Sequence, residues 1–402
     1  MSRKVKDNLL KAVTYVASAI SVIVLASILI YLVDHGLSSI NMDLITSNYN
    51  AETFNAKVAD DYVYSPMEAK DYDGYYSAKW GVAFEDVETV HKTNEISVAY
   101  VDPNSPFAHL ESLIAGQEGT RQSLESNYVI NNLYYNDAEG NQVYLSQGKM
   151  ESAENLVNIL ENEVTEIVSL NYQSLGGGIK GSIITTLYLI LISLTLSLPI
   201  GISSAIYLHE YANKNKINSL IRQGIDTLTG IPSIIYGLMG VTVLFPITQL
   251  VGATSTSILL GGLTLAIILL PTIIRSTEEA LIIVPQSLRD ASLSLGATKS
   301  QTIFKVVLPC AMNGILTGVL LSIGRVIGES AALVYTTSTV INDYPTILSQ
   351  GTSLALMIWS IMSGEQPNFE LASAISLIIL VIVFAINTIV KIIGKHFAKS
   401  FS

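Results

Sequence analysis

Residues 227–274 read TLTGIPSIIYGLMGVTVLFPITQLVGATSTSILLGGLTLAIILLPTII, a run without a single charged side chain. A hydrocarbon core about 30 Å thick needs roughly 20 consecutive apolar residues in a helix, so this run is long enough for two crossings. The small polar stretch from Gly252 to Ser257 divides it into a third and a fourth span. Working outward, residues 12–33, 181–208, 309–328 and 371–390 have spanning length as well. The first of these follows Arg3, Lys4, Lys6 and Lys11. It is longer than a secretory h-region and no small-residue cleavage pattern follows Val33, so it reads as a retained first span.

The composition agrees. Half of the 402 residues are apolar and 14% are charged, the balance of a multi-span membrane protein. The charge is also partitioned: residues 34–178 hold 23 acidic and 6 basic residues, and the remainder holds 10 acidic and 16 basic ones. An acidic block between two apolar segments reads as a soluble insert facing a different solvent from the mildly basic membrane body. Basic residues collect at the N-terminus, at Lys214, Lys216 and Arg222, in 275–305, and at Lys391, Lys395 and Lys399. The intervening segments carry acidic residues or none, including 331–370 with Asp343, Glu365 and Glu370. By the positive-inside rule both termini are cytoplasmic. The expected fold class is an all-α polytopic membrane protein with six transmembrane helices and a small extracytoplasmic α+β insert. Its parts are 1–33 (N-terminus and first span), 34–178 (insert) and 179–402 (a core of five spans).

Several function classes are unsupported by these residues. Cys310 is the one cysteine, so the insert has no disulfide framework. His35, His91, His109, His209 and His396 are scattered singly, and no metal site is expected. The string from Gly176 to Ser182 lacks the spacing of a phosphate loop. The insert offers no nucleophile elbow or zinc motif, so the chain is not read as an enzyme. No nucleic-acid partner is expected.

Within the insert, Ile96, Val98 and Tyr100 alternate as a strand would, and 128–135 with 142–146 flank a turn rich in Asn, Asp and Gly. Residues 152–170 read as an amphipathic helix, with Leu156, Ile159, Leu160, Val164, Ile167 and Val168 on one stripe. Tyr62, Tyr64, Tyr72, Tyr75, Tyr76, Tyr134 and Tyr135 mark either a binding face or the core of a small domain.

The most informative loop lies between the fourth and fifth spans. Pro285 breaks the chain, Ser287 reads as an N-cap with Asp290 three residues on, and Gly296 reads as the residue that closes the helix. Thr298 opens a second helix with Gln301 in capping-box position. A short helix over 288–295, defined at both ends, can transmit force from a partner.

At these residues the sequence resembles a known family. Asp290-Ala291-Ser292, Gly296 and Leu308-Pro309 match the EAA loop of type I ABC importer permeases over about 278–309, with Asp290 where Glu is usual. Leu295-Gly296-Ala297-Thr298, Gly324-Arg325-Val326-Ile327-Gly328-Glu329, Gly230-Ile231-Pro232-Ser233 and Tyr207-Leu208-His209-Glu210-Tyr211 resemble the PstA family of phosphate-importer permeases. The resemblance covers roughly 177–395 and leaves out the insert.

It implies a permease that moves inorganic phosphate across a bacterial or archaeal plasma membrane, coupled to a separate ATPase. The implied partners are a second permease (PstC-like), two ATPase subunits (PstB-like) and an extracytoplasmic phosphate-binding protein (PstS-like). No cofactor belongs to this chain, since ATP and Mg would be bound by the ATPase. In the resemblance, Asp290, Ala291, Ser292, Gly296, Leu308 and Pro309 serve coupling. Arg325, Glu329 and Arg275 are candidates for the substrate path, as intramembrane charges usually have a task and a guanidinium suits phosphate oxygens. Bland readings stand beside these: an Arg325–Glu329 pair within one helix, close packing at Gly324 and Gly328, and Arg275 as a membrane-edge anchor near Glu278 and Glu279. Thr336, Thr337, Ser338 and Thr339 offer hydroxyl donors or simple caps. Pro199, Pro232 and Pro271 are expected within spans. Rival functions are a permease for sulfate or molybdate, and a membrane-anchored receptor. The insert is expected to dock the binding protein or cover the outer gate.

Overall fold

The computed structural model describes residues 3–63, 74–88, 94–174, 176–213, 215–363 and 367–399. Tyr64, Tyr72, His91, Lys214 and Glu365 lie outside the described residues. Two compact units emerge, one of Met1–Thr46 with Ile179–Ser402 and one of Ser47–Gly178.

The chain enters through α1 (Arg3–Gly36) and the single turn α2 (Met42–Thr46). It then builds the second unit from β1 (Thr53–Val58), β2 (Tyr75–Ser77), β3 (Val82–Glu88), β4 (Asn94–Val101), β5 (Leu110–Ser112), β6 (Arg121–Gln122), β7 (Tyr128–Asn136), β8 (Gln142–Ser146), α3 (Gln147–Met150), α4 (Ala153–Asn162) and β9 (Glu166–Ser174). These strands form one antiparallel sheet in the order β2-β3-β4-β7-β9-β1-β5-β6, with β8 also on β7. The expected hairpin is present. Its turn is fixed by the Asp137 carboxylate, which accepts from the backbone N–H of Glu139 and Asn141 at 2.9 and 2.8 Å. Those bonds hold the Asp137 carboxyl below its ordinary range. The entering and leaving strands are neighbours, Thr53 lying opposite Gln173.

The helix expected over 152–170 is half right. Ser152 caps α4 by accepting from Asn155 N–H at 3.2 Å, and Leu156 and Leu160 bury against the sheet. Beyond Asn162 the chain becomes β9. Opposite β7 the register slips, Tyr134 pairing with Ser169 and Tyr135 with Ile167, so Val168 is bulged out. That bulge brings Ile167 and Leu170 to the same buried face three residues apart, the spacing that reads as helical in the sequence. The tyrosines divide between the two readings. Tyr135 is buried, whereas Tyr134 lies in the open with its ring centroid 4.7 Å from that of Tyr144.

The first unit continues with α5 (Lys180–Ile206), a single π turn (Tyr207–Tyr211), α6 (Lys216–Thr229), α7 (Ser233–Met239), α8 (Phe245–Gln249), α9 (Ile258–Ile283), α10 (Gln286–Ser294), α11 (Lys299–Thr302), α12 (Leu308–Gly328), α13 (Leu333–Thr336), α14 (Leu354–Met362) and α15 (Phe369–Lys399). Five helical stretches among the described residues are long and apolar enough to cross a membrane. A sixth arises if α6 and the following helix, bent by 104°, count as one. The third expected span is therefore not a straight rod. Gly230 caps the end of α6, and Pro232, expected within a span, sits at the N-cap of α7 in an extended conformation that no helix can continue through. Pro199 and Pro271 do lie inside helices. The divide at Gly252–Ser257 holds, Ser257 capping α9 through Leu260 N–H at 3.3 Å.

In this unit α5, α9 and α12 pack through Leu189, Leu265, Leu269, Val326 and Ile327. Their axes approach closely at glycines: a Cβ on Gly201 would stand 2.6 Å from Ile273 Cγ2, and one on Gly318 would overlap the Ser276 side chain. Buried hydroxyls turn back to their own helix, Thr186 to Ser182 O at 2.7 Å and Ser193 to Leu189 O at 2.6 Å. α14 was not foreseen within 331–370. It buries Leu354, Leu356 and Met357, and Leu354 N–H donates to Thr186 Oγ1 at 3.0 Å.

Candidate functional site

The loop between α9 and α12 contains the most fully specified local geometry in the first unit. α9 ends at Ile283 rather than near Ile274, so Arg275 and Glu278 lie inside a helix. α10 then starts after Pro285, which occupies the N-cap, and the expected Ser287 cap is not formed. The Asp290 carboxylate instead accepts from Gln286 Nε2 at 3.1 Å. Gly296 closes α10 as expected, with φ at +87°, a left-handed conformation that glycine adopts without strain. The Thr298–Gln301 capping box makes both of its bonds, at 3.3 and 2.9 Å. Ser292 and Thr302 hydroxyls meet at 2.9 Å, which locks α10 to α11. Leu308 and Pro309 then open α12 after a π turn over Ile303–Val307.

α10 has two unlike faces. Asp290 and Ala291 are exposed, as are Leu288, Leu293 and Leu295, the last at 90%. Arg289, one residue before Asp290, is buried. Its guanidinium donates to Glu210 Oε1 from Nη2 at 2.9 Å and Nε at 3.3 Å, to Leu281 O at 3.0 Å and to Val284 O at 2.6 Å. Two of these acceptors are the carbonyls of Leu281, in the last turn of α9, and of Val284, its C-cap. Two further pairs join α6 to α9. Arg222 donates to Glu278 at 2.5 Å and to Leu208 O at 2.6 Å, and Arg275 pairs with Asp226.

Sequence reading singled out none of Arg289, Glu210, Arg222 or Asp226 for this role. A signal existed: Glu210, Asp226 and Glu278 are carboxylates at the basic ends of apolar runs, where the positive-inside pattern favours Lys and Arg, so each calls for a cationic neighbour.

The three substrate-path candidates are not brought together. α12 ends at Gly328, and Glu329 beyond it is extended, with φ −77° and ψ 124°. Glu329 is therefore off the helical face of Arg325. Its carboxylate accepts from Ala332 N–H at 3.3 Å, and no Arg325–Glu329 ion pair is formed. Arg325 is half-buried and meets no carboxylate within 4 Å among the described residues. Arg275 is neutralised by Asp226. Gly318 of α12 faces Ser276 of α9, which puts Arg325 about 9 Å further along the axis than Arg275 at 1.5 Å per residue. Gly324 and Gly328 have open space where a Cβ would stand, so they serve no close packing. Thr336 and Thr337 donate to Ala332 O and Leu333 O at 3.0 and 3.1 Å, one turn back along the chain, so their side chains cap no helix and their protons are already engaged.

The Ser47–Gly178 unit has an open cavity of about 610 Å³ lined by Asp61, Tyr62, Asn104, His109, Arg121 and Gln122. Arg121 donates to Asp61, and that bond holds the Asp61 carboxyl below its usual range.

The family model for binding-protein-dependent transport system inner membrane components matches residues 197–402, which contain the whole loop and lie outside the insert. A probable ABC transporter permease, YqgI of Bacillus subtilis, is 31% identical over 239 residues, covering 56% of this chain and 80% of that protein. The phosphate transport system permease PstA 1 of Mycobacterium tuberculosis is 31% identical over 220 residues, 54% of this chain and 70% of its own length. A PstA homolog of Mycoplasma pneumoniae is 34% identical over 180 residues, and this chain spans only 28% of it. A multi-pass chain of apolar helices, with a capped helix exposed in the loop before α12 and a family match across more than half its length, belongs to the binding-protein-dependent transport system inner membrane components, the ABC permeases.

Proposed function

We propose that the chain is a permease subunit of an ATP-driven importer for inorganic phosphate. The observation that carries this reading is α10, a short helix bounded by Pro285 and Gly296, with Asp290, Ala291 and the following Leu295 exposed, within the residues that match the permease family. Exposed apolar side chains on a rigid polar helix fit a groove on another protein. Phosphate as cargo is supported by relatives whose names state phosphate transport. Arg325, with no carboxylate to neutralise it, is the better candidate for meeting an anion than Arg275.

On this reading ATP and Mg bind a separate ATPase pair, and a second permease and an extracytoplasmic binding protein complete the assembly. The bent α6–α7 pair completes six spans, both termini are cytoplasmic, and the Ser47–Gly178 unit is extracytoplasmic. Its role in docking the binding protein or covering the outer gate is tested by deleting the whole unit, since a partial cut that removed β1 and β7 would strip β9 of both its neighbours.

The test is labelled-phosphate uptake in cells lacking their own importer, supplied with this chain and its partners, comparing wild type with Arg325→Ala at matched membrane levels. Uptake in the wild type alone supports the reading and puts Arg325 on the path. Equal uptake in both returns Arg325 to packing. No phosphate uptake by an assembled wild type, with sulfate or molybdate taken up instead, replaces the cargo.

A further inference from the structure

The inner end of α5 is gripped from three directions. Its π turn, Tyr207–Tyr211, offers Glu210 to Arg289 of α10, Tyr211 to Lys299 of α11, whose Nζ lies 4.9 Å above the ring, and the Leu208 carbonyl to Arg222 of α6. π turns are rare, and inserting a residue into the helix re-aims the side chains that follow it. The Arg289–Glu210 pair is also buried: its side chains are 11% and 9% exposed, against 47% and 46% for the Arg275–Asp226 pair between α9 and α6. An exposed pair parts easily because water replaces each partner, but a buried one cannot part without leaving a charge uncompensated. Arg289 also donates to the last carbonyls of α9, so one guanidinium joins the ends of two spanning helices to α10.

We propose that Arg289 and Glu210 form a latch that makes α10 and the inner end of α5 move as one body. This rests on the reading of α10 as the element pushed by an ATPase. Without the latch, a push on α10 would be taken up in the hinge at Val284-Pro285. With it, displacement passes directly to α5, and through the Leu281 and Val284 carbonyls to α9. Arg289 and Glu210 are positioning residues here, since neither faces the cargo. Lys299 over Tyr211 steadies the same turn from α11, which Ser292 and Thr302 tie to α10.

The experiment uses the assembled transporter with its partners in liposomes. Spin labels at Ser294→Cys and Asn213→Cys, in a Cys310→Ser background, report the separation of α10 from the end of α5. In the otherwise native chain the separation stays the same with and without ATP. A change between the two states overturns the latch, whatever the cargo proves to be. Glu210→Gln is expected to let the separation shift on ATP binding and to lower the anion moved per ATP hydrolysed by about five-fold or more, with ATP hydrolysis retained. Should Glu210→Gln fail to assemble, Arg289→Lys, which keeps the charge and loses the fork, carries the same expectation. Wild-type separation and wild-type stoichiometry in the variant would reduce the pair to static packing. A constant separation without phosphate uptake leaves the latch in place and removes the phosphate reading.

Discussion

The two units of this chain are built inside out with respect to each other. In Ser47–Gly178 the large apolar side chains are hidden, Phe84 and Phe107 each 1% exposed, and the ion pair of Arg121 with Asp61 lies at the surface. In the other unit Leu191 and Ile200 stand 62% and 53% exposed, whereas Thr185, Ser193 and Ser197 are fully buried and the Arg289–Glu210 pair is enclosed. One sequence thus satisfies two solvents. Water hides apolar groups and pulls charges outward, and hydrocarbon leaves apolar groups where they are and drives polar groups into the protein.

The contrast can be broken at several points. The largest effect is expected for Arg289→Met, which strands Glu210 and should remove about 3–5 kcal/mol of stability, read as loss of folded protein in thermal inactivation. Arg121→Met, which opens a surface pair in the insert, should give no measurable loss in the same assay. Next, Leu191→Lys places a charge on an exposed face of α5 and should cost about 2.5–3.5 kcal/mol, seen as failed membrane insertion. Tyr144→Lys, at an exposed aromatic position of the insert, should change stability by no more than about 0.5 kcal/mol. Equal effects at Leu191 and Tyr144 would mean that both units face water. Third, Thr186→Val removes the acceptor of Leu354 N–H and should cost about 1–3 kcal/mol, with faster amide exchange at Leu354.

The last effect, at Tyr135, appears only at alkaline pH. Burial, and then the bond to Glu163, push its hydroxyl up to about 12. Because the folded value lies above the unfolded one, the stabilisation is complete below about pH 10 and is lost as pH rises from there toward 12. Alkaline unfolding of the insert should therefore be shifted by Tyr135→Phe, which does not titrate.

Legibility followed the range of the interaction. The apolar runs at 12–33, 181–208, 309–328 and 371–390 all became helices, because length and hydropathy are local. The Thr298–Gln301 box and Gly296 were legible for the same reason, each being set by residues within four positions. The break at Gly230–Pro232 is written in the sequence, but a proline in an apolar run fits a kink within a span equally well. Val168 misled because a bulge puts two inward side chains three apart, so strand and helix periods coincide over that stretch. The pairing of Arg289 with Glu210 spans 79 positions, and nothing near either residue names the other. Arg325 and Glu329 failed in the opposite sense: four apart in sequence, they are parted by a helix that stops between them.

The pairing of Thr53 with Gln173, extended by Gly177 N–H to Tyr49 O at 2.7 Å and Gly178 N–H to Asn48 O at 3.0 Å, has an architectural consequence. The two chain ends of the nine-stranded unit leave it side by side, about 5 Å apart, as the two legs of a hairpin do. A graft with so narrow a stem demands no more room from its host than an ordinary reverse turn. Such a unit can be gained, exchanged for another, or excised across its stem, and the surrounding chain needs only a few residues to close the gap.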